Sequence, residues 1–110
     1  MIFVELLINI MRKYGIDFDG TIINHKTIPT RKSWWKDKPY KNALGAIRAL
    51  MEDGEVYICT ARTPNEWAII EEWLKVHGFP RLRITNVKEK HTDVWIDDRA
   101  IDLKIIGCLS

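Results

Sequence analysis

Cysteine, histidine and charge of one sign are all scarce in this chain of 110 residues, and each shortage removes a class of function. The only cysteines are Cys59 and Cys108, too few for a disulfide framework and without the paired spacing of a zinc site. A reducing, cytoplasmic setting is the expectation that follows. The histidines His25, His77 and His91 are scattered, with no spacing that lets two of them share a metal. Lys and Arg number 17 against 15 Asp and Glu, a formal balance of +2 that leaves no basic excess for holding nucleic acid by charge. A phosphate ester, which needs only a local positive site, is not excluded.

Long apolar runs are missing as well. The most apolar stretch, MIFVELLINIM at 1–11, is interrupted by Glu5 and falls short of the roughly 20 apolar residues that span a bilayer. It has neither a basic start nor a small-residue cleavage site, so it does not read as a secretory signal, and no membrane partner is expected. Met11 opens a natural beginning of its own. The reading is one domain over residues 11–110, preceded by an apolar extension at 1–10. No internal repeat or low-complexity tract occurs.

What is present is enough apolar material for a core, 46% of the residues, arranged with two alternating periods. Residues 13–18 read as a buried strand that meets a tight loop at Asp17-Phe18-Asp19-Gly20. Residues 21–39 carry two prolines and no helical period, and so predict a loop or small flap holding Trp34 and Trp35. From Lys41 to Glu52 apolar residues recur at helical spacing, with Gly54 just past the end. EVYIC at 55–59 predicts a second strand. Thr63-Pro64-Asn65-Glu66 has the form of a capping box with proline at the first helical position, opening a helix that runs to about His77 and stops at Gly78. Further strands are predicted at 82–85, 93–96 and 103–106. Strands alternating with helices imply right-handed crossovers and a mainly parallel sheet, the Rossmann-like three-layer α/β class. Ligands in such sheets gather beyond the carboxyl ends of the strands. The polar residues that follow the predicted strands are Asp17 and Asp19, Thr60, Asn86 and Lys88, and Asp97 and Asp98.

Asp17-Phe18-Asp19-Gly20-Thr21 is the most specific of these sites. In an extended backbone Asp17 and Asp19 share a face while Phe18 packs the other way. Two close carboxylates favour a bound cation or a shared proton. An ordinary strand end with an Asp-Gly turn would need no chemistry at all. Four fixed residue types at roughly 6% usage each arise by chance in about one chain of this length in a thousand.

The segment DFDGTI resembles the first motif of the haloacid dehalogenase superfamily, and the resemblance continues in order over residues 13–102. It implies that Asp17 is a nucleophile forming an aspartyl-phosphate, and that Asp19 is the acid for the leaving alcohol and then the base for water. Superfamily ATPases usually carry Thr at the second position, so Asp19 resembles the phosphatase branch. Thr60, with the backbone of Ala61, would be the second motif, a hydroxyl and N–H groups holding a phosphoryl oxygen. Read alone, Thr60 merely ends a strand. Arg62 either reaches a substrate phosphate or pairs on the surface. Lys88 is the candidate for the charge-neutralising lysine, with Lys90 as its competitor. The short gap to the next motif departs from relatives that place a helix there. Val94-Trp95-Ile96-Asp97-Asp98 would be the fourth motif. With Asp17 and the Asp19 carbonyl, Asp97 and Asp98 would supply hard oxygen ligands suited to Mg²⁺.

The implied activity is that of a Mg²⁺-dependent phosphatase acting on an unidentified phosphate ester. Residues 22–40 and 64–81 leave no space for a large cap, so the chain resembles the capless type. An open site suits a large phosphorylated substrate, or one completed by a neighbouring subunit in a homo-oligomer. The competing reading is a non-catalytic module that binds a phosphate-bearing partner on the same fold. A receiver-like signalling domain fits less well, because its acidic pair comes early and its phosphoacceptor late. The three histidines are assigned to no site. Trp34 and Trp35 either pack the core, cover the site, stack on a base or ring of the substrate, or pack a subunit interface.

Overall fold

The computed structural model describes residues 12–25 and 33–97. The expected extension at 1–10, the strand at 103–106 and Asp98 lie outside the described residues. In chain order the elements are β1 (Arg12–Ile16), β2 (Ile23–Asn24), β3 (Lys38–Pro39), α1 (Ala43–Asp53), β4 (Gly54–Cys59), α2 (Pro64–Val76), β5 (Arg83–Thr85) and β6 (Val94–Ile96), with a 3₁₀ turn at Trp34–Lys36.

Four strands form a parallel sheet in the order β5-β4-β1-β6. The chain leaves β1, crosses through α1 to β4 and through α2 to β5, and then returns to the far side of β1 as β6. Strand order therefore reverses beside β1. The apolar stripe of α1 (Ala43, Ala46, Ile47, Leu50) and that of α2 (Ile70, Trp73, Leu74) are buried in one core with Tyr14, Ile16, Val56, Ile58 and Ile96. Those spacings put each set on one side of its helix, which is why both helices lie down on the sheet. This is the Rossmann-like α/β architecture that the alternation of strands and helices predicts, and the described residues include no large cap. Among them, no helix is long and apolar enough to cross a membrane.

The described parts of 22–40 form a small antiparallel flap. β2 and β3 pair in antiparallel fashion, Ile23 opposite Pro39 and Asn24 opposite Lys38. Trp34 is buried in the core, whereas Trp35 is exposed.

Two glycine and capping expectations change. Gly54 does not end α1 in a left-handed turn; its backbone is extended and opens β4 at once. Its lack of a side chain is required by the neighbouring strand, since a Cβ there would lie 2.1 Å from the Arg12 carbonyl oxygen. Gly78, in contrast, has φ +79° just beyond α2, as a helix stop requires. His77 closes that helix, its Nδ1 lying 2.8 Å from the Trp73 carbonyl. Thr63 stands at the N-cap of α2, but its side chain makes no capping bond. The Glu66 N–H donates instead to the Thr63 carbonyl at 2.9 Å, and the Glu66 carboxylate is drawn away by Arg62 at 2.6 Å. A capping box cannot close once its acid has a stronger charged partner.

The opposite face of the sheet carries an ion-pair network. Glu89 accepts from both terminal nitrogens of Arg83 and lies 2.8 Å from Lys13 Nζ, while Arg83 also reaches Glu55 at 2.7 Å. Hydrogen bonds from Arg83, then from Lys13, pull the Glu89 carboxyl from 4.5 down to about 2. A lowered folded-state value stabilises above the unfolded value and stops doing so as pH falls through the folded one. Glu89→Gln should therefore lower the melting temperature at neutral pH, by the equivalent of about 0.5–1 kcal/mol for a partly screened network. The gap to wild type should shrink between pH 4.5 and about pH 2. Melting curves of both proteins across that range check it; a gap that does not move would remove Glu89 from the network.

Candidate active site

β1 stops hydrogen-bonding as a strand at Ile16, but the Asp17 N–H still donates to the Ile96 carbonyl at 2.9 Å. With Ile16 opposite Ile96 in the register, that bond sets Asp17 beside Asp97 at the tips of two adjacent strands. Phe18 then turns fully into the core. The chain curls back immediately: the N–H groups of Thr21, Ile22 and Ile23 all point to the Phe18 carbonyl, at 3.3, 3.0 and 3.2 Å. Gly20, with φ +77°, makes that curl possible.

A cavity of about 430 Å³ opens at the carboxyl ends of β1, β4 and β6. Asp17, Thr60, Ala61, Lys88 and Asp97 all line it, together with Gly15, Cys59, Asn86, Trp95 and Ile96. The cavity thus sits where strand order reverses, the position expected for a ligand in such a sheet. Thr60 is held by its N–H on the Thr85 carbonyl at 2.9 Å, and its Oγ1 accepts from the Arg62 N–H at 3.1 Å. The hydroxyl proton is what remains to donate.

Lys88 lies with its ammonium 5.3 Å from the centre of the Trp95 ring, itself a cavity wall. The loop that carries it is tied down by the Val87 N–H on Thr85 Oγ1 and the Glu89 N–H on the Tyr57 hydroxyl, at 3.1 and 3.2 Å. Lys90, exposed like Lys88, is not among the lining groups and contributes its carbonyl to Lys13. Cys59 is half-buried on the cavity wall. Burial pushes its thiol up, Lys88 opposes this and Asp17 adds to it, so both charged groups lie within electrostatic reach of the thiol.

Asp19 departs from the expected geometry. Its carboxylate is turned toward the flap and is not among the lining groups of the cavity. Arg62 donates from Nε to Oδ2 and from Nη2 to Oδ1, both at 2.9 Å, and His25 Nε2 lies 2.7 Å from Oδ1. β1 ends at Ile16, and Asp19 lies beyond it in an isolated bridge with Ile23. Arg62 does pair, but with Asp19 and Glu66 at the site rather than idly on the surface, and its plane lies 4.3 Å from the Trp34 ring centre. The two carboxylates raise the Arg62 guanidinium despite the opposing effect of burial.

His25, which the sequence reading assigned to no site, lies against Asp19. Its Nδ1 lies 2.9 Å from Asp37 Oδ2 while its Nε2 faces Asp19. No ligand spacing or periodicity marks either His25 or Asp37; only the pairing of β2 with β3 brings them together.

No protein-family model and no curated protein matches the chain. Its structure is similar to that of a conserved protein from Bacteroides thetaiotaomicron, with a TM-score of 0.64 at 23% identity, over 88% of this chain and 87% of that one. The likeness is one of fold.

Among the described residues no group of three or more His, Cys, Asp and Glu side chains could hold a metal ion. Asp17 and Asp97 nevertheless supply two carboxylates to one cavity. Mg²⁺ is commonly held by one or two carboxylates, keeping several waters and taking substrate oxygens for the rest. The donor set fits that ion.

Proposed function

We propose that this chain is a Mg²⁺-dependent phosphatase of the haloacid dehalogenase type, working through an aspartyl-phosphate on Asp17. The observation that carries the reading is the convergence of Asp17, Thr60, Lys88 and Asp97 on one cavity at the strand tips. These are a carboxylate nucleophile, a hydroxyl donor, an ammonium and a second carboxylate, the set that phosphoryl transfer through an enzyme carboxylate requires. Asp17 and Asp97, with the Asp19 carbonyl, would hold Mg²⁺, which supplies charge neutralisation of the phosphate. Asp98 would join them by the same resemblance.

Thr60 and the backbone at Ala61 hold a phosphoryl oxygen, and Lys88 balances charge from the β5 side. Asp17 attacks phosphorus as the ester oxygen leaves, and Asp19 gives that oxygen a proton. Asp19 next takes a proton from the water that cleaves the aspartyl-phosphate. The Arg62 contacts on Asp19 describe a resting arrangement, from which Arg62 can pass to a substrate phosphate as it arrives. A non-catalytic phosphate-binding module would leave those contacts closed.

Phosphate release from aryl, sugar, nucleotide and peptide phosphates, with EDTA or with added Mg²⁺, separates the two readings. Turnover should require Mg²⁺. Lys88→Ala should cut kcat/KM on the order of 10²–10³-fold, as loss of one charge-stabilising donor does, while Lys90→Ala changes it little. No Mg²⁺-dependent turnover on any of these esters would end the proposal.

A further inference from the structure

We propose that His25, held by Asp37, is the positioning residue that aims the Asp19 carboxyl for its two proton transfers; this rests on the phosphatase reading above. The imidazole is almost wholly enclosed, its side chain 4% exposed, and both ring nitrogens meet carboxylate oxygens, at 2.7 and 2.9 Å. Contacts through both ring nitrogens fix the orientation of the imidazole between the two acids. A histidine that only filled core space would need one partner, not two acids.

The ring is aimed by the fold. His25 follows β2 and Asp37 precedes β3, and the antiparallel pairing of those strands sets the two side by side. Asp37 is itself anchored: its N–H donates to the Trp34 carbonyl at 3.0 Å, and its carbonyl accepts from Trp73 Nε1 at 2.9 Å. A chain of contacts therefore runs from α2 through Trp73, Asp37 and His25 to Asp19.

Its effect on Asp19 is selective between the two oxygens. Oδ1 meets His25 Nε2 at 2.7 Å and Arg62 Nη2 at 2.9 Å, whereas Oδ2 receives the Arg62 Nε at 2.9 Å. Oδ1 is occupied and Oδ2 keeps lone-pair capacity; once Arg62 passes to a substrate phosphate, the carboxyl, still tethered to His25 through Oδ1, turns Oδ2 from the flap toward the cavity, and Oδ2 is the oxygen assigned to proton traffic. In the first step the Asp17–phosphorus bond forms, the phosphorus–ester oxygen bond breaks, and that oxygen takes the Asp19 proton. In the second, a water oxygen bonds phosphorus, the Asp17–phosphorus bond breaks, and the water proton goes to Asp19. A carboxyl free to rotate about its own axis would serve both steps poorly.

Leaving-group dependence tests this. With Mg²⁺ present, kcat/KM is measured on 2,4-dinitrophenyl phosphate, whose leaving group needs no proton, and on phenyl phosphate, whose leaving group does. His25→Ala should lose at least about tenfold more on phenyl phosphate than on the dinitrophenyl ester, within the range that general acid catalysis contributes. His25→Gln, which keeps an N–H for Oδ1, should recover part of the phenyl phosphate rate, and Asp37→Asn should shift the ratio in the same direction as His25→Ala. Should His25→Ala fail to fold by circular dichroism, the other two variants carry the comparison. An active wild type whose variants lose equally on both esters, or lose nothing, overturns the positioning role alone. A wild type silent on both esters, or an Asp17→Asn variant as active as wild type, overturns the phosphatase reading and this inference with it.

Discussion

Asp17→Asn should lower phosphate release by at least about 10⁴-fold, the scale seen when a hydrolase loses its nucleophile. An amide oxygen is neutral and a poor nucleophile, and no acyl phosphate can form on it without expelling nitrogen. The substitution is isosteric and leaves the backbone N–H of Asp17 on the Ile96 carbonyl untouched. The fold should therefore be retained while turnover vanishes. A phosphate-release assay beside a thermal melt, both in metal-free buffer and with Mg²⁺, reads the two quantities. Lost activity with lost fold would say nothing about chemistry; undiminished activity would return Asp17 to the standing of an ordinary strand-end residue.

The parts of this site that were legible in the sequence are those for which chemistry restricts the residue types at one strand tip. Asp17, Thr60, Lys88 and Asp97 each follow a strand that shows its own period, and the rule that ligands sit beyond strand ends collects them without any knowledge of contacts. His25 follows one two-residue strand and Asp37 precedes another; neither strand has a period to detect, and the pairing of the two side chains exists only once the flap has folded. Gly54 was open to misreading for a related reason. A glycine after a helix is an ordinary stop, but here the demand comes from the Arg12 carbonyl on the adjacent strand, a contact 42 residues away in sequence. Glu66 has the spacing of a capping acid and the surroundings of an Arg62 partner, and the charged partner wins. Local pattern decides where an element lies; which of two local roles a residue takes is decided by what tertiary structure brings against it.

The largest effect on stability is expected at Phe18, between the two aspartates of the motif. Its ring is fully buried and meets Trp34 and Trp73 edge-on, with centroids 5.6 and 5.3 Å away and planes at 80° and 90°. Phe18→Ala removes the ring and both aromatic contacts in a core too interlocked to collapse, a loss of about 3–5 kcal/mol. Small domains have only about 5–15 kcal/mol in total, so the variant should sit near the edge of unfolding. Backbone curling at the motif should survive, because it depends on the Phe18 carbonyl rather than the ring. Activity should nevertheless fall further than the folded fraction. Trp34 underlies Arg62 and Trp73 bonds to Asp37, so both groups that hold Asp19 lean on the two indoles that Phe18 separates. Urea unfolding followed by fluorescence gives the first quantity, and kcat measured in the folded baseline gives the second. Val87→Ala, on an exposed side chain, should stay within about 0.5 kcal/mol of wild type in the same assay. A Phe18→Ala loss below about 1 kcal/mol would mean that the ring is not packed as described. A large loss in stability with kcat intact would instead separate the aromatic cluster from the catalytic geometry and leave His25 and Arg62 to be held from elsewhere.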